Sequence, residues 1–239
     1  GLSIYISEFL LINLEDQQIY KSYKKNTGKN FDKRSTIEVY KDNKKTDENV
    51  SVLIYPDNHL KKNNSYNIFP FSGVANAKTI QCNENGYYSF FNSDRYGFNN
   101  FDEEWGKKEI EYLLIGDSMA QGECVNSPYR IGDIIKERTK KNLINLGYGS
   151  TGTLIQFATF REYYGIKNYK KLIWLYYEGN DSNELSKELE NDLLKKYLKE
   201  DNFSQNLKNE QENIDKIGRT IITQAEKRYN ERLKLKYIN

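Results

Sequence analysis

A chain of 239 residues has room for one sizeable α/β domain, or a domain with a smaller appendage, and folds without a framework of cross-links. Its 36 Lys and Arg against 34 Asp and Glu leave a formal charge of +2, which excludes the strongly basic footprint of a nucleic-acid binder. A single histidine, His59, limits every mechanism that needs an imidazole.

The opening run GLSIYISEFLLIN (1–13) is largely apolar. It is shorter than the roughly 20 residues a spanning helix needs, and it lacks the basic start and small-residue cleavage site of a signal peptide. Two readings stand: the distal end of a membrane anchor, or an amphipathic helix packed on the domain through Ile4, Ile6, Leu10 and Leu11. The first makes the protein membrane-anchored and extracytoplasmic, the second cytoplasmic. From Leu14 to Asn49 the chain is rich in Lys, Asn, Asp and Gln, the pattern of a helix fading into a polar linker. Short β-type runs follow at Ser51–Pro56 and Thr79–Cys82, and TIQCNENGYYSFFNSD predicts a hairpin with NENG at its turn. SDRYGFNN (Ser93–Asn100) has the mixture of Arg, aromatics, Gly and Asn that suits a tight, hydrogen-bonded loop. Residues 14–106 thus form a polar, β-containing lead-in. Cys82 and Cys124 read as two separate, partly buried thiols in preference to a pair, and one histidine with no CxxC predicts no metal site.

From Lys107 the pattern is regular. IEYLLIG (Ile110–Gly116) reads as a buried strand, Ser127–Lys141 as a helix with Pro128 in its first turn, and NLINLG (Asn142–Gly147) as a second strand. Thr153–Gly165 has helical spacing and ends at a C-cap glycine, and Lys170–Tyr177 is a third, near-continuous apolar strand. After Asp181 the chain is helical and highly charged, and those charges read as solvated faces. Strands alternating with helices predict an α/β fold, a three-layer α/β/α sandwich on a parallel sheet with right-handed crossovers. In such sheets ligands bind at the carboxyl ends of the strands. The informative residues are therefore Gly116-Asp117-Ser118, the loop Gly147–Gly152, and Glu178–Asp181. They bring a hydroxyl, a flexible loop with backbone N–H groups and a side-chain amide around one crevice, which is what attack on an ester and capture of the oxyanion require.

LLIGDSMAQGECV, NLGYGSTGT and YYEGNDSNEL, in this order and on these strands, resemble the motif blocks of the SGNH hydrolases, the GDSL esterase/lipase family. The resemblance covers about Glu111 to Leu185, and SDRYGFNN resembles a segment found just upstream in bacterial members. It implies a flavodoxin-like sheet over residues 107–239, with Ser118 as nucleophile and first oxyanion donor through its N–H. A second donor comes from the backbone of Gly149 or Ser150, since Ser150 aligns where the family has glycine. If that position needs a positive φ, a serine is strained there. Asn180 supplies the third donor through its side-chain amide, while Asp117, which shapes the turn, and Asp181 border the substrate. No cofactor is implied. The family's base is a histidine in a C-terminal Asp-x-x-His pair, but no histidine follows Ser118, and His59, in the polar context YPDNHL, reads as a surface or turn residue. The resemblance thus places the base beyond Asn239 and makes the chain a fragment. The implied activity is an ester hydrolase that removes an acyl, typically acetyl, group from a carbohydrate through an acyl-enzyme on Ser118. An O-acyltransferase on surface polysaccharide uses the same chemistry, and a catalytically inactive binding module on the same scaffold is the alternative class. A nucleotide-binding flavodoxin-like domain is disfavoured, because GDSMAQGE has neither GxGxxG nor Gly-Lys-Ser/Thr.

Overall fold

The computed structural model describes residues 17–60, 67–165 and 169–236. The run 1–13, and with it the choice between anchor and packed helix, lies outside them. Among the described residues no helix is long and apolar enough to cross a membrane.

The lead-in is more structured than its composition predicts. A helix, α1, spans 17–27, and a second, α2 (Thr36–Lys44), lies inside the stretch expected as linker. Its ends specify it: Ser35 Oγ accepts from the Glu38 N–H, Glu38 accepts from the Ser35 N–H at 2.7 Å, and Lys41 and Lys44 occupy the last turn. Val39 and Tyr40 then bury its inner face against Val50 and Ile80. Three short strands make the first sheet, with β1 (Val50–Val52) parallel to β2 (Lys78–Ile80) and β2 antiparallel to β3 (Phe90–Asn92). The β2–β3 hairpin is the one the sequence predicts, with Thr79 opposite Phe91. Of Ser51–Pro56 only the start is strand, because Pro56 opens a 3-10 turn, Pro56–His59.

Two expectations for the lead-in are corrected. His59 is no surface residue: it is 5% exposed, with its ring edge-on to Phe69 at 5.7 Å between centroids. Burial pushes its pKa down to about 4, against an ordinary 6.5. The unfolded chain therefore takes up the proton first, so this group costs stability as the pH falls from 6.5 towards 4, by up to about 3 kcal/mol. His59→Phe is expected to flatten that part of the urea-measured stability profile relative to the parent. An unchanged slope would show an imidazole that titrates normally. The second correction concerns the cysteines. Cys82 and Cys124 are bonded to each other across 42 residues, because the end of the β2 ladder lies beside the turn that follows Ser118. That proximity is tertiary and leaves no trace in the spacing of the two residues.

The second sheet has the order β5-β4-β6 and is parallel throughout, with β4 (Ile110–Gly116), β5 (Leu143–Asn145) and β6 (Tyr169–Leu175). Helices α4 (Ile131–Thr139) and α5 (Thr153–Tyr163) make the crossovers. This is the α/β class that the alternation predicts. The α4 helix starts later than expected: Tyr129 N–H closes a turn on the Asn126 carbonyl and Arg130 is the N-cap, so Pro128 precedes the helix. On one side of β4, Leu113 and Ile115 pack with Leu154, Ile155 and Ala158 of α5. On the other, Leu114 packs with Ala120 and Leu143, with Ile135 of α4 alongside.

The third strand is less buried than its apolar run predicts. β6 is an edge strand; Ile173 and Leu175 pack inward, but Leu172 and Trp174 are 39% and 40% exposed. The remaining helices are α6 (Asp181–Glu188), α7 (Asp192–Lys199) and α8 (Gln211–Lys236). The last returns to the lead-in, where Ile222 joins the Val39 cluster and Tyr229 Oη donates to Glu38. Not every helical carboxylate lies on a solvated face: after Asp181, Glu188 at the end of α6 is buried, and so, earlier in the chain, is Glu162. Glu162 of α5 accepts from the N–H groups of Gln205 and Leu207 and from the hydroxyls of Tyr197 and Ser204.

Candidate active site

The three loops at the carboxyl ends of β5, β4 and β6 form one crevice. At the end of β4, Gly116 has φ +148°, and a Cβ there would lie 2.6 Å from the Leu175 carbonyl oxygen and 2.9 Å from Ala120 Cβ. The chain turns at once, so that Asp117 caps a single helical turn, α3 (Ser118–Gln121), its Oδ1 accepting from the Met119 N–H at 2.9 Å. Ser118, the first residue of α3, is half-buried, whereas Asp117 is 2% exposed and its Oδ2 has no partner among the described residues.

The second loop lies directly on α3. A Cβ at Gly147 would meet Ala120 Cβ at 2.5 Å and the Gln121 backbone nitrogen at 2.7 Å, so only glycine permits the approach. Gly149 donates its N–H to Gln121 Oε1 at 2.9 Å and has none to spare for an oxyanion. The Ser150 N–H has no acceptor among the described residues, and Ser150 has φ +54°. That left-handed backbone costs a serine about 1 kcal/mol and is the conformation a glycine adopts freely. In the third loop Asn180 is half-buried, with Nδ2 3.5 Å from Glu184 Oε1 and Oδ1 without a partner among the described residues. Asp181 is buried and braces its own turn: Oδ2 accepts from the Tyr177 N–H at 2.8 Å, and Oδ1 from Gln156 Nε2 at 3.4 Å.

Ser118, Ser150 and Asn180 meet in an open cleft of about 380 Å³ whose wall also includes Tyr55, Glu84, Glu123 and Glu184. Gly149, Asp117 and Asp181 line no part of it and act from beneath. Met119 and Cys124 complete the wall, and sequence reasoning assigned no site role to Tyr55, Glu84, Glu123 or Glu184. Glu123 was the most accessible, since it follows Ser118 within GDSMAQGEC; Tyr55 and Glu84 come from the lead-in and reach the cleft only through tertiary contact. Tyr55 donates its hydroxyl to Glu123, and burial raises the pKa of that phenol above its usual value. Burial also raises the Glu123 carboxyl, with Glu84 and Asp117 adding like charge, and it raises Glu184, with Asp181 and Asp117 adding theirs. Cys82, Glu123 and Cys124 hold their ligand-type atoms within 4.8 Å, but the two sulfurs are bonded to each other, which leaves one carboxylate and no thiolate for a metal.

Two buried networks hold the crevice from below. The Ser93–Asn100 loop is as tightly bonded as its sequence predicts. Asp94 accepts from the N–H groups of Tyr96 and Phe98, from Asn100 Nδ2 and from Trp105 Nε1, all at 2.7–3.0 Å. Burial nevertheless pushes its pKa up to about 6. Asn100 continues the chain by exchanging two bonds with the Asn145 backbone, and Asn145 Nδ2 and Asn99 Nδ2 donate to the carbonyls of Ala120 and Gln121 in α3. The second network joins the other two loops. Gln156 donates to the Thr151 carbonyl and to Asp181 and accepts from Trp174 Nε1, while Glu188 accepts from the N–H groups of Gly152, Leu154 and Ile155 at 2.6–3.1 Å. No side chain of the α5 N-cap residue, Gly152, does this, so Glu188 acts in its place.

In comparison with known proteins, no family model, no curated protein and no solved structure matches the chain.

Proposed function

We propose that the chain is the SGNH-type α/β/α sandwich of a serine ester hydrolase acting on an acyl, typically acetyl, ester of a carbohydrate. The observation that carries this reading is the meeting of Ser118, the free N–H of Ser150 and Asn180 in one cleft at the carboxyl ends of three parallel strands. Ser118 Oγ attacks the ester carbonyl, and its proton passes to a base. The N–H groups of Ser118 and Ser150 and the Asn180 amide hold the oxyanion. Collapse of the tetrahedral intermediate expels the alcohol and leaves an acyl group on Ser118, which water removes; a sugar hydroxyl in the place of water makes the same chain an O-acyltransferase.

The base is the part not supplied here. His59 is the one histidine of the sequence, and it is buried against Phe69 outside the cleft lining. In the hydrolase reading the imidazole lies outside these 239 residues, and the outer edge of β6, unpaired among the described residues and carrying the exposed Leu172 and Trp174, offers such a segment a place to pack. The Cys82–Cys124 disulfide supports the extracytoplasmic location over the cytoplasmic one. A second reading, a module that binds an acylated glycan without cleaving it, draws support from the lack of any imidazole in the cleft lining among the described residues. Turnover of an aryl acetate by the full-length protein separates the two. Ser118→Ala is expected to lower it by at least about 10³-fold and Asn180→Ala by about 10²-fold. Equal turnover in parent and Ser118→Ala would overturn the hydrolase reading.

A further inference from the structure

We infer that Glu184 is a positioning residue for the oxyanion site: its carboxylate sets which end of the Asn180 amide faces the ester, an inference that rests on the hydrolase reading with Asn180 as a donor. An Asn amide donates from one end only, and its two ends are alike in shape, so a donor role requires a neighbour that tells them apart. The backbone does not supply one. Asp181 braces the turn by accepting from the Tyr177 N–H, and the Glu184 N–H closes the first helical bond of α6 on the Asn180 carbonyl at 3.0 Å, but neither bond involves the amide. Asn180 Oδ1 is buried without a partner among the described residues. The hydrogen bond the amide does make there runs from Nδ2 to Glu184 Oε1, at 3.5 Å. An ionised carboxylate only accepts, so a reversed amide would set Oδ1 against it, and the contact selects Nδ2. One Nδ2 hydrogen is used in this way and the other is left for the oxyanion. The length is that of a resting site, where such contacts are long and tighten when substrate is bound.

Glu184 is itself held. A Cβ at Gly152 would lie 2.7 Å from the Leu185 backbone nitrogen and 2.9 Å from Glu184 Cβ, so the second loop presses on the base of this side chain while α6 anchors its backbone. Glu184 thus stands between the loops that carry Ser150 and Asn180, and it lines the cleft with both of them and with Ser118. Stability does not account for a carboxylate at this place. The residue is half-buried, and burial and the charges of Asp181 and Asp117 raise its pKa, with Lys187 acting the other way. Its Oε2 has no partner, and no salt bridge among the described residues offsets the cost. Groups kept at such a cost cluster where chemistry is done.

Steady-state turnover of 4-nitrophenyl acetate by the full-length protein tests this in a double-mutant cycle. Glu184→Ala is expected to lower kcat about tenfold with KM changed by less than about twofold, and Glu184→Gln, which keeps one acceptor oxygen in the same volume, to lower it about threefold. In the Asn180→Ala background neither change is expected to have a further effect, because no amide is left to position. A loss of equal size with and without Asn180, a loss carried by KM, or an unchanged kcat in Glu184→Ala would each overturn the inference. ¹⁵N relaxation of the Asn180 side-chain amide reads the same contact without turnover. Its order parameter is expected to fall in Glu184→Ala and to recover in part in Glu184→Gln, and an amide equally ordered in parent and both variants would also sink the inference. The two readings fail separately. Turnover in the parent that is absent or independent of Ser118 would remove the hydrolase reading and with it the role, whereas Ser118-dependent turnover without a Glu184 effect would remove the role alone.

Discussion

Asp94→Ala is expected to destabilise the protein by about 4 kcal/mol in urea unfolding, more than any other single truncation near the crevice. The change orphans four donors at once: two backbone N–H groups, the Asn100 amide and the Trp105 indole. Each is buried or half-buried, so water replaces few of the lost bonds. The damage also travels. Asn100 holds the Asn145 backbone, and Asn145 holds the Ala120 carbonyl, so loss of Asp94 loosens the turn that aims Ser118. Reactivity of Ser118 should therefore fall in Asp94→Ala even at temperatures where the protein is fully folded. Asp94→Asn, which keeps one acceptor oxygen, should lie between parent and Ala on both measures. A loss below about 1 kcal/mol would mean that solvent reaches these donors and that the network is not as buried as described.

Glu188→Ala is expected to cost about 3 kcal/mol and to act on the second loop. Three N–H groups at the start of α5 lose the one acceptor they have among the described residues, and they follow directly on Ser150 and Thr151. Amide exchange at Leu154 and Ile155 should speed up first, ahead of global unfolding. Gln at the same position repairs the site only in part, because its amide keeps one acceptor oxygen and puts a donor group where the other is needed. Unchanged exchange at these two amides would show that α5 is capped in another way.

These two networks also show what the sequence made legible. β4 and the carboxyl-end loops could be read because a run such as IEYLLIG ending in Gly-Asp-Ser carries its own boundary, and the β2–β3 hairpin announces itself through NENG. The tight loop at Ser93–Asn100 was readable from composition, but its target was not, since Asn100 meets Asn145 across 45 residues. α2 was masked by Lys and Asn because its signal lies in one capping pair, Ser35 and Glu38. β6 reads as buried from its apolar run, yet a strand's exposure depends on its neighbours, which periodicity does not encode. For the same reason the pairing of Cys82 with Cys124, the burial of His59 and the arrival of Tyr55 and Glu84 at the cleft were all invisible in the chain order. Of the two candidate N–H groups, that of Gly149 is taken up by the Gln121 side chain, a tertiary contact the sequence does not announce, and that of Ser150 has no acceptor among the described residues.

The nucleophile is the claim on which the rest of the functional account depends, and it has a direct test. Full-length protein is treated with a fluorophosphonate, digested and mapped by peptide mass, alongside Ser118→Ala. The account predicts a single phosphonyl adduct on the peptide that contains Ser118, absent from Ser118→Ala. No adduct in the parent, or an adduct on another residue that persists in Ser118→Ala, would contradict it.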